Sequence, residues 1–338
     1  MNSVSILVSR TDRLGDVLLA LPTLGHLREI LPSTPIQFLI QDLYVPVILP
    51  YLKKVNIEPI AYRQESGFTV PSDTSHFLSL YCDKGVAWKA FKSGLRVRVG
   101  GYSKLWSFLL YSNGIRQKRS DAIKSEAEYN LDLANLLVEE ITGTTHPIHP
   151  SKIEIPVDEE ARIGAIAVLR ELPISASHDF IIFHPGMRGS AANLSPAKYL
   201  ELINRAEARW ELPVILSIGP ILRDQEIADF ILTAKPSLRV IRDLEISVLR
   251  EVFRLAHLVI APSTGPLHLA HYVGTRTIGL YPPVKTQSEK RWAPWGGTGG
   301  SRVYSPMVDC PGTRNCIGEK CSQFFCMEKY NWQGLVFA

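Results

Sequence analysis

The chain has 338 residues, of which 46% are hydrophobic and 21% charged, an ordinary balance for a soluble globular protein. That length passes the roughly 250 to 300 residues at which single cores divide, so two domains are expected. Its 37 Lys and Arg against 33 Asp and Glu leave a net charge of +4, too weak to argue for a nucleic-acid partner, although local basic runs can meet phosphates. No apolar run reaches the roughly 20 residues that span a bilayer, and the first residues enter a strand pattern rather than a secretory leader, so a cytoplasmic protein is expected.

Residues 4–9 read as an apolar strand. A helix follows from about Asp16, with Val17, Leu18, Leu21, Leu24, Leu27 and Ile30 at helical spacing until Pro32. A strand at 36–40, a helix near 44–54 and strands at 57–61, 76–80 and 95–99 continue the alternation, and residues 130–141 form a strongly apolar helix. Strands alternating with helices argue for a parallel sheet covered by helices. Residues 142–156 (TGTTHPIHPSKIEIP) carry three prolines and little helical pattern, which marks a linker between a first domain, 1–155, and a second, 157–338.

The second half opens with a strand at 179–183, then Ser195-Pro196 sets a capping serine before a proline at the first helical position. A strand at 213–218, a helix at 223–233, a strand at 238–241 and a helix at 246–255 come next. A strand at 257–261, a helix at 264–273 and a strand at 276–280 complete an α/β domain. Two such domains facing each other would form a cleft at the carboxyl ends of their strands, where ligands of open α/β sheets bind.

In each half an apolar strand runs into small and polar residues that start a helix: residues 10–16 (RTDRLGD), and Ser263-Thr264-Gly265-Pro266-Leu267-His268. A helix start presents unpaired N–H groups and the positive end of a dipole, an arrangement that binds anions, above all phosphate. The first of the two also carries Asp16, whose carboxylate can act as a base. The pair implies an enzyme that holds a phosphorylated donor in one half and activates an acceptor in the other.

The segments ILVSRTDRLGDVLLALPTLGHLRE, FHPGMRGSAANLSPAKYLELI and STGPLHLAHYVGTRTIGLYPP resemble, in order and spacing, three signatures of glycosyltransferase family 9, the ADP-heptose:lipopolysaccharide heptosyltransferases. The terminal CPGTRNCIGEKCSQFFCM is similar to a cysteine-bearing tail in a subset of that family. The resemblance covers nearly the whole chain. It implies a GT-B architecture, an α/β pair of facing Rossmann-like domains with parallel sheets. It also implies an ADP-heptose or other nucleotide-sugar donor in the C-terminal domain, a glycolipid acceptor such as lipopolysaccharide core on the N-terminal one, and inverting chemistry with no required cofactor. The sequence holds no Asp-x-Asp pair to bridge a divalent ion to a diphosphate, so fixed cations and helix ends are expected to stabilise the leaving group. Such an enzyme is expected in the cytoplasm, with transient peripheral contact at the inner face of the inner membrane.

Under that resemblance Asp16 matches the catalytic carboxylate, although an Asp at a helix start also serves as an N-cap. Gly15 lets backbone approach a ligand closely, and Arg10 and Arg13 are acceptor-side contacts to phosphate or sugar, or else surface charges. Ser263, Thr264 and Gly265 match the donor-diphosphate loop, with His268 one turn into the helix as a donor ligand or a packed core residue. Most members carry Asp where Ser263 stands, and many carry a donor-contacting Lys where Ala192 stands. Gly186, Arg188, Ser190 and Asn193 form a loop that can hold phosphate as a nest or can be an ordinary strand-to-helix connection. Arg188, Lys290 or Arg291 can supply the charge missing at Ala192. Asp224 and Glu226 lie near the family's ribose carboxylate, where an acidic first turn of a helix is equally expected.

Arg96, Arg98, Lys104, Arg116, Lys118 and Arg119 surround residues 106–111 (WSFLLY). The mixture suits an anionic glycolipid or membrane headgroups, and a plainly solvated basic face fits it too. Cys310, Cys316, Cys321 and Cys326 form a C-x5-C-x4-C-x4-C run within a tail, 310–338, that can pack back on the first domain. Structural zinc prefers tighter pairs, so the four read as a loose zinc set or as packed thiols, with no metal assigned to the reaction and no disulfide framework expected. Two other functions stay open: a nucleotide-sugar epimerase, which needs no acceptor, and a glycan- or nucleotide-binding protein that has lost catalysis.

Overall fold

A computed structural model gives the fold; the structure describes residues 4–65, 67–148, 153–172, 179–187, 189, 191–296, 300–312 and 314–331. The chain divides into two compact units: Met1–Arg119 with Lys124–Pro156, and Ser120–Ile123 with Val157–Ala338.

In the first unit β1 (Ile6–Ser9), β2 (Ile36–Gln41), β3 (Glu58–Tyr62), β4 (His76–Ser79), β5 (Val97–Gly101) and β6 (Asn113–Ile115) form one sheet in the order β3-β2-β1-β4-β5-β6. Every pairing is parallel. The run Ile-Leu-Val-Ser of β1 is buried throughout, as expected of a central strand with both faces covered. The helices are α1 (Leu14–Leu18), α2 (Leu21–Ile30), α3 (Val45–Lys54), α4 (Lys84–Lys92), α5 (Ser107–Leu110) and α6 (Glu126–Thr142).

The single helix expected after Asp16 is two helices. Pro22 lacks the N–H that would bond the Leu18 carbonyl, so the chain breaks at Leu19 and Ala20 and restarts with Pro22 in the first turn of α2. The helix expected at 130–141 starts a turn earlier, at a capping box in which Ser125 and Glu128 satisfy each other's backbone N–H. It ends at Gly143, whose φ of 74° closes the last turn. That early turn carries Glu126 and Asn130 into the interior. The expected linker is no free tether. Ile153 and Ile155 are buried, and Ile153 packs beside Gly25 of α2; residues 149–152 lie outside the described residues.

The second unit contains β7 (Ile181–Phe183), β8 (Val214–Ile218), β9 (Arg239–Arg242), β10 (Leu258–Pro262), β11 (Arg276–Leu280) and β12 (Ser301–Tyr304), all parallel, in the order β12-β11-β10-β7-β8-β9. Its helices are α7 (Glu159–Arg170), α8 (Pro196–Trp210), α9 (Leu222–Ala234), α10 (Ile246–Leu255), α11 (Gly265–Tyr272) and α12 (Glu289–Trp292). Ser195 caps α8 by accepting the Lys198 N–H at 3.2 Å, with Pro196 in the first turn, as the sequence leads one to expect. Phe183, Tyr199, Ile203, Leu216 and Ile260 lie in its core. α7 is fastened to α10 by the fully buried Arg250, which pairs with Asp158 at 2.9 Å and Glu251 at 2.8 Å. Among the described residues no helix is long and apolar enough to cross a membrane.

Candidate active site

In each sheet the first strand lies between the second and the fourth, so the order of strands reverses beside β1 and beside β7. Loops leaving the carboxyl ends of such neighbours diverge and open a crevice in which ligands of α/β sheets bind. The residues singled out in the sequence gather at these points: 10–16 after β1, 184–195 after β7, and 263–265 after β10.

Arg10 leaves β1 and is only 2% exposed. Its Nε donates to Asp12 Oδ1 at 2.8 Å and its Nη2 to Asp16 Oδ1 at 2.6 Å. Nη1 donates to the Leu80 carbonyl at 3.0 Å, Asn130 Oδ1 at 3.1 Å and Glu126 Oε1 at 3.2 Å. A guanidinium can be buried only when its charge and donors are met in this way. Arg10, read from the sequence as an acceptor contact or a surface charge, is instead buried and clasps three carboxylates. Arg119, one of the expected surface cations, instead pairs with Glu126.

Asp16 stands at the third position of α1; the N-cap is the exposed Arg13, whose side chain makes no cap hydrogen bond. α1 has five residues and already holds this carboxylate in its first turn. The expected phosphate site at this helix end is corrected accordingly: the dipole is small, and its positive end faces an anion of the chain itself. The Asp16 side chain is 15% exposed, with Gly15 half-buried next to it. Burial pushes its pKa up to about 6; Arg10 pulls it down, and Asp12 and Glu126 push it further up. Asp12 is itself raised by burial. Asp16 is thus ionised at neutral pH and more basic than an ordinary aspartate, the condition of a general base. Asp12, Glu126 and Asn130 escaped the sequence reading. For Glu126 and Asn130 the signal is a polar pair four residues apart on the inward face of an apolar helix.

After β7, burial lowers the His184 pKa to about 4, and its neutral ring meets Ser217 Oγ at 3.1 Å. A Cβ at Gly186 would lie 2.4 Å from Asp224 Oδ2, so glycine is needed there for packing. Asp224, expected on a ribose, is buried and accepts the Met187 N–H at 3.1 Å, bracing the loop from below. Asn193 also turns inward rather than toward a phosphate. Its Nδ2 donates to the Pro185 carbonyl at 2.9 Å, and its Oδ1 accepts from the Leu194 N–H at 2.9 Å and the Tyr199 hydroxyl at 2.6 Å. Glu226 is exposed; Arg188 and Ser190 lie outside the described residues. The Ala192 N–H donates to Gln287 Oε1 at 3.0 Å, which ties this loop to the segment bearing Lys285, Lys290 and Arg291.

After β10, the Ser263 N–H donates to the Leu280 carbonyl at 3.2 Å and its side chain bonds Tyr281. Thr264 is the N-cap of α11 and makes no side-chain cap hydrogen bond, leaving Thr264 and Gly265, both half-buried, at the positive end of an eight-residue helix. His268 is buried one turn in; burial and then His271 lower its pKa to about 3, and its Nδ1 has no partner among the described residues. His271 is likewise held near 4 by burial. With their pKa values held this low, neither histidine brings a positive charge to this helix start at neutral pH.

Among the expected acceptor-side cations, Arg98 is committed elsewhere. It donates to the Leu110 carbonyl at 2.7 Å and to the Leu95 carbonyl, and its guanidinium lies 5.2 Å over the Phe91 ring. Arg96, Lys104, Arg116 and Lys118 are exposed. Beside Lys104, Leu105 is 89% and Leu109 76% exposed, and Phe108 stacks on Tyr102 at 4.5 Å. The four clustered cysteines lie beyond β12 as free thiols.

A sequence profile for glycosyltransferase family 9 (heptosyltransferase) matches residues 116–300, more than half of the chain. A Haemophilus influenzae protein named "Putative glycosyltransferase" is 30% identical over 300 residues, covering 86% of this chain and 85% of its own. The family 9 glycosyl transferase of Veillonella parvula superimposes with a TM-score of 0.73 at 18% identity, over 91% of this chain and 88% of that one. E. coli ADP-heptose LPS heptosyltransferase II gives 0.69 at 17%, over 91% and 92%. E. coli heptosyltransferase WaaC with ADP gives 0.63 at 16%, over 92% and 95%. At those identities the structures speak for the fold, which is the GT-B type of α/β heptosyltransferases. The profile match and the related chain carry the assignment further: this chain belongs to glycosyltransferase family 9 and is a glycosyltransferase.

Proposed function

We propose that the chain transfers heptose, or a closely related sugar, from ADP-heptose to a lipopolysaccharide core or similar surface glycan, with inversion and without a divalent ion on the diphosphate. The carrying observation is Asp16, an aspartate raised to about 6 and fixed by Arg10 at the carboxyl end of β1. Asp16 removes the proton of the acceptor hydroxyl as its oxygen attacks the anomeric carbon. The bond to the diphosphate breaks on the opposite side, through an oxocarbenium-like state. The second unit holds the donor: the amides at Thr264 and Gly265 and the loop braced by Asp224 face the diphosphate, with Lys290 and Arg291 in place of the lysine replaced by Ala192. The first unit takes the acceptor, whose anionic groups suit Arg13, Arg96, Lys104 and Arg116, and whose lipid end suits the exposed Leu105, Phe108 and Leu109 at a membrane surface in the cytoplasm. Family membership and the names of the similar heptosyltransferases support the sugar and the nucleotide.

The test is Asp16→Asn, nearly isosteric and unable to take the proton. Transfer should fall by about 10²- to 10⁴-fold while calorimetry finds donor binding unchanged. Full transfer by the variant would overturn the assignment of the base, and preference for UDP- or GDP-sugars in the same calorimeter would overturn the donor.

A further inference from the structure

Cys310, Cys316, Cys321 and Cys326 together line one cavity of about 30 Å³, alongside Ala192, Val284 and Ile317. That volume exceeds the roughly 10 to 15 Å³ one water needs and is the scale of a single ion. All four are free thiols on a stretch with no strand and no α-helix among the described residues, only short turns at Gly318–Lys320 and Cys326–Lys329. Little of that stretch is packed: Ile317, Phe324 and Phe325 are exposed, and among its described residues only Cys326, Met327 and Tyr330 reach the core of the second unit. An excursion of this size without a hydrophobic interior needs a covalent or metal staple to hold one shape. The Gln323 N–H donates to Cys321 Sγ at 3.3 Å, within a turn closed by the Cys321 N–H on the Gly318 carbonyl at 2.9 Å. A backbone N–H aimed at sulfur stabilises a thiolate more than a thiol, because the acceptor then carries charge.

We propose that these four cysteines bind one divalent metal ion through four thiolates, as a structural centre that fixes the tail on the second unit. Binding converts four thiols to thiolates and releases four protons, with no change of oxidation state. Among the described residues no three ligand side chains already meet on one ion-sized point. The four cysteines line one cavity, and metal–sulfur bonds of about 2.3 Å require their side chains to turn inward from their present positions. The tail so fixed is attached at two places. Glu328 accepts the N–H and hydroxyl of Ser195 at 3.1 and 3.0 Å, and the Tyr330 hydroxyl accepts the Tyr281 N–H at 2.9 Å. The centre braces the start of α8 and the end of β11, and the proposal is independent of which sugar or nucleotide binds there.

Zinc and ferrous iron share this chemistry, and elemental analysis of the full-length protein, purified without chelator, separates them. About one equivalent of one of the two per chain is expected, with colourless protein for zinc and thiolate charge-transfer absorption for iron. Cys316→Ser/Cys321→Ser should lose the metal and lower the thermal midpoint. Should that variant fail to fold, cobalt added to demetallated wild-type protein still decides, because four thiolates give the visible bands of a tetrahedral site. Wild-type protein with below about one-tenth equivalent of metal and no cobalt bands would overturn the proposal.

Discussion

Replacing Glu126 by Gln removes one negative charge from the Arg10 cage while keeping its shape and an acceptor oxygen. Asp16 and Glu126 accept from the same Arg10 nitrogen at 2.6 and 3.2 Å. A charge within about 6 Å contributes about 3 kcal/mol at an effective dielectric of about 20, equivalent to about 2 pKa units. Arg119 already offsets part of the Glu126 charge, and the Asp16 carboxylate reaches solvent, so a shift of about 1 unit is expected. The direction is fixed. Losing a neighbouring anion makes ionised Asp16 easier to form, so its pKa falls from about 6 toward about 5 and the acid limb of activity moves to lower pH. The assay is kcat/KM against pH, followed by chromatography of released nucleotide, since that ratio reports groups of the free enzyme. An acid limb that stays near 6, or rises, in Glu126→Gln would refute the claim that this cage sets the basicity of the proposed base, Asp16.

Gly186→Ala places a methyl group against Asp224 and should cost about 1–3 kcal/mol in urea unfolding; an unchanged midpoint would mean the brace beneath the loop is slack. Arg250→Ala leaves Asp158 and Glu251 without their buried cation and should cost about 3–5 kcal/mol, read by the same unfolding curves, with little loss contradicting the role of Arg250 in holding α7. Leu105→Asp/Leu109→Asp should abolish co-sedimentation with anionic vesicles while sparing transfer to a water-soluble acceptor fragment. Equal binding by the variant would remove this face from the acceptor side.

Periodicity reveals those parts of the fold where apolar residues are large. β8, β10 and α10 follow from Val-Ile-Leu, Leu-Val-Ile and a leucine- and phenylalanine-bearing helix face. α7 does not, because Ala161 and Ala165 form its buried stripe and small side chains leave a weak pattern. β6 and β12 are three and four residues of mixed polarity, too short to read. In the site, Asp16 and the Ser263-Thr264-Gly265 turn are legible from their strand-to-helix setting. The orientation of Arg10, Asn193 and Asp224 is not, because polar residues that serve ligand and those that serve the loop itself have the same local spacing. Only the long-range partners Glu126, Tyr199 and Met187 tell them apart.

Ser195 opens α8 and is in turn completed by Glu328, 133 residues later in the chain. On the ribosome the serine emerges long before its carboxylate partner, so this helix start stays unlatched through most of the synthesis of the second unit. A segment made much later is thus the one that locks the loop after β7. Until Glu328 is made the start of α8 lacks this partner, and a protein cut short before Glu328 would be born with that latch open.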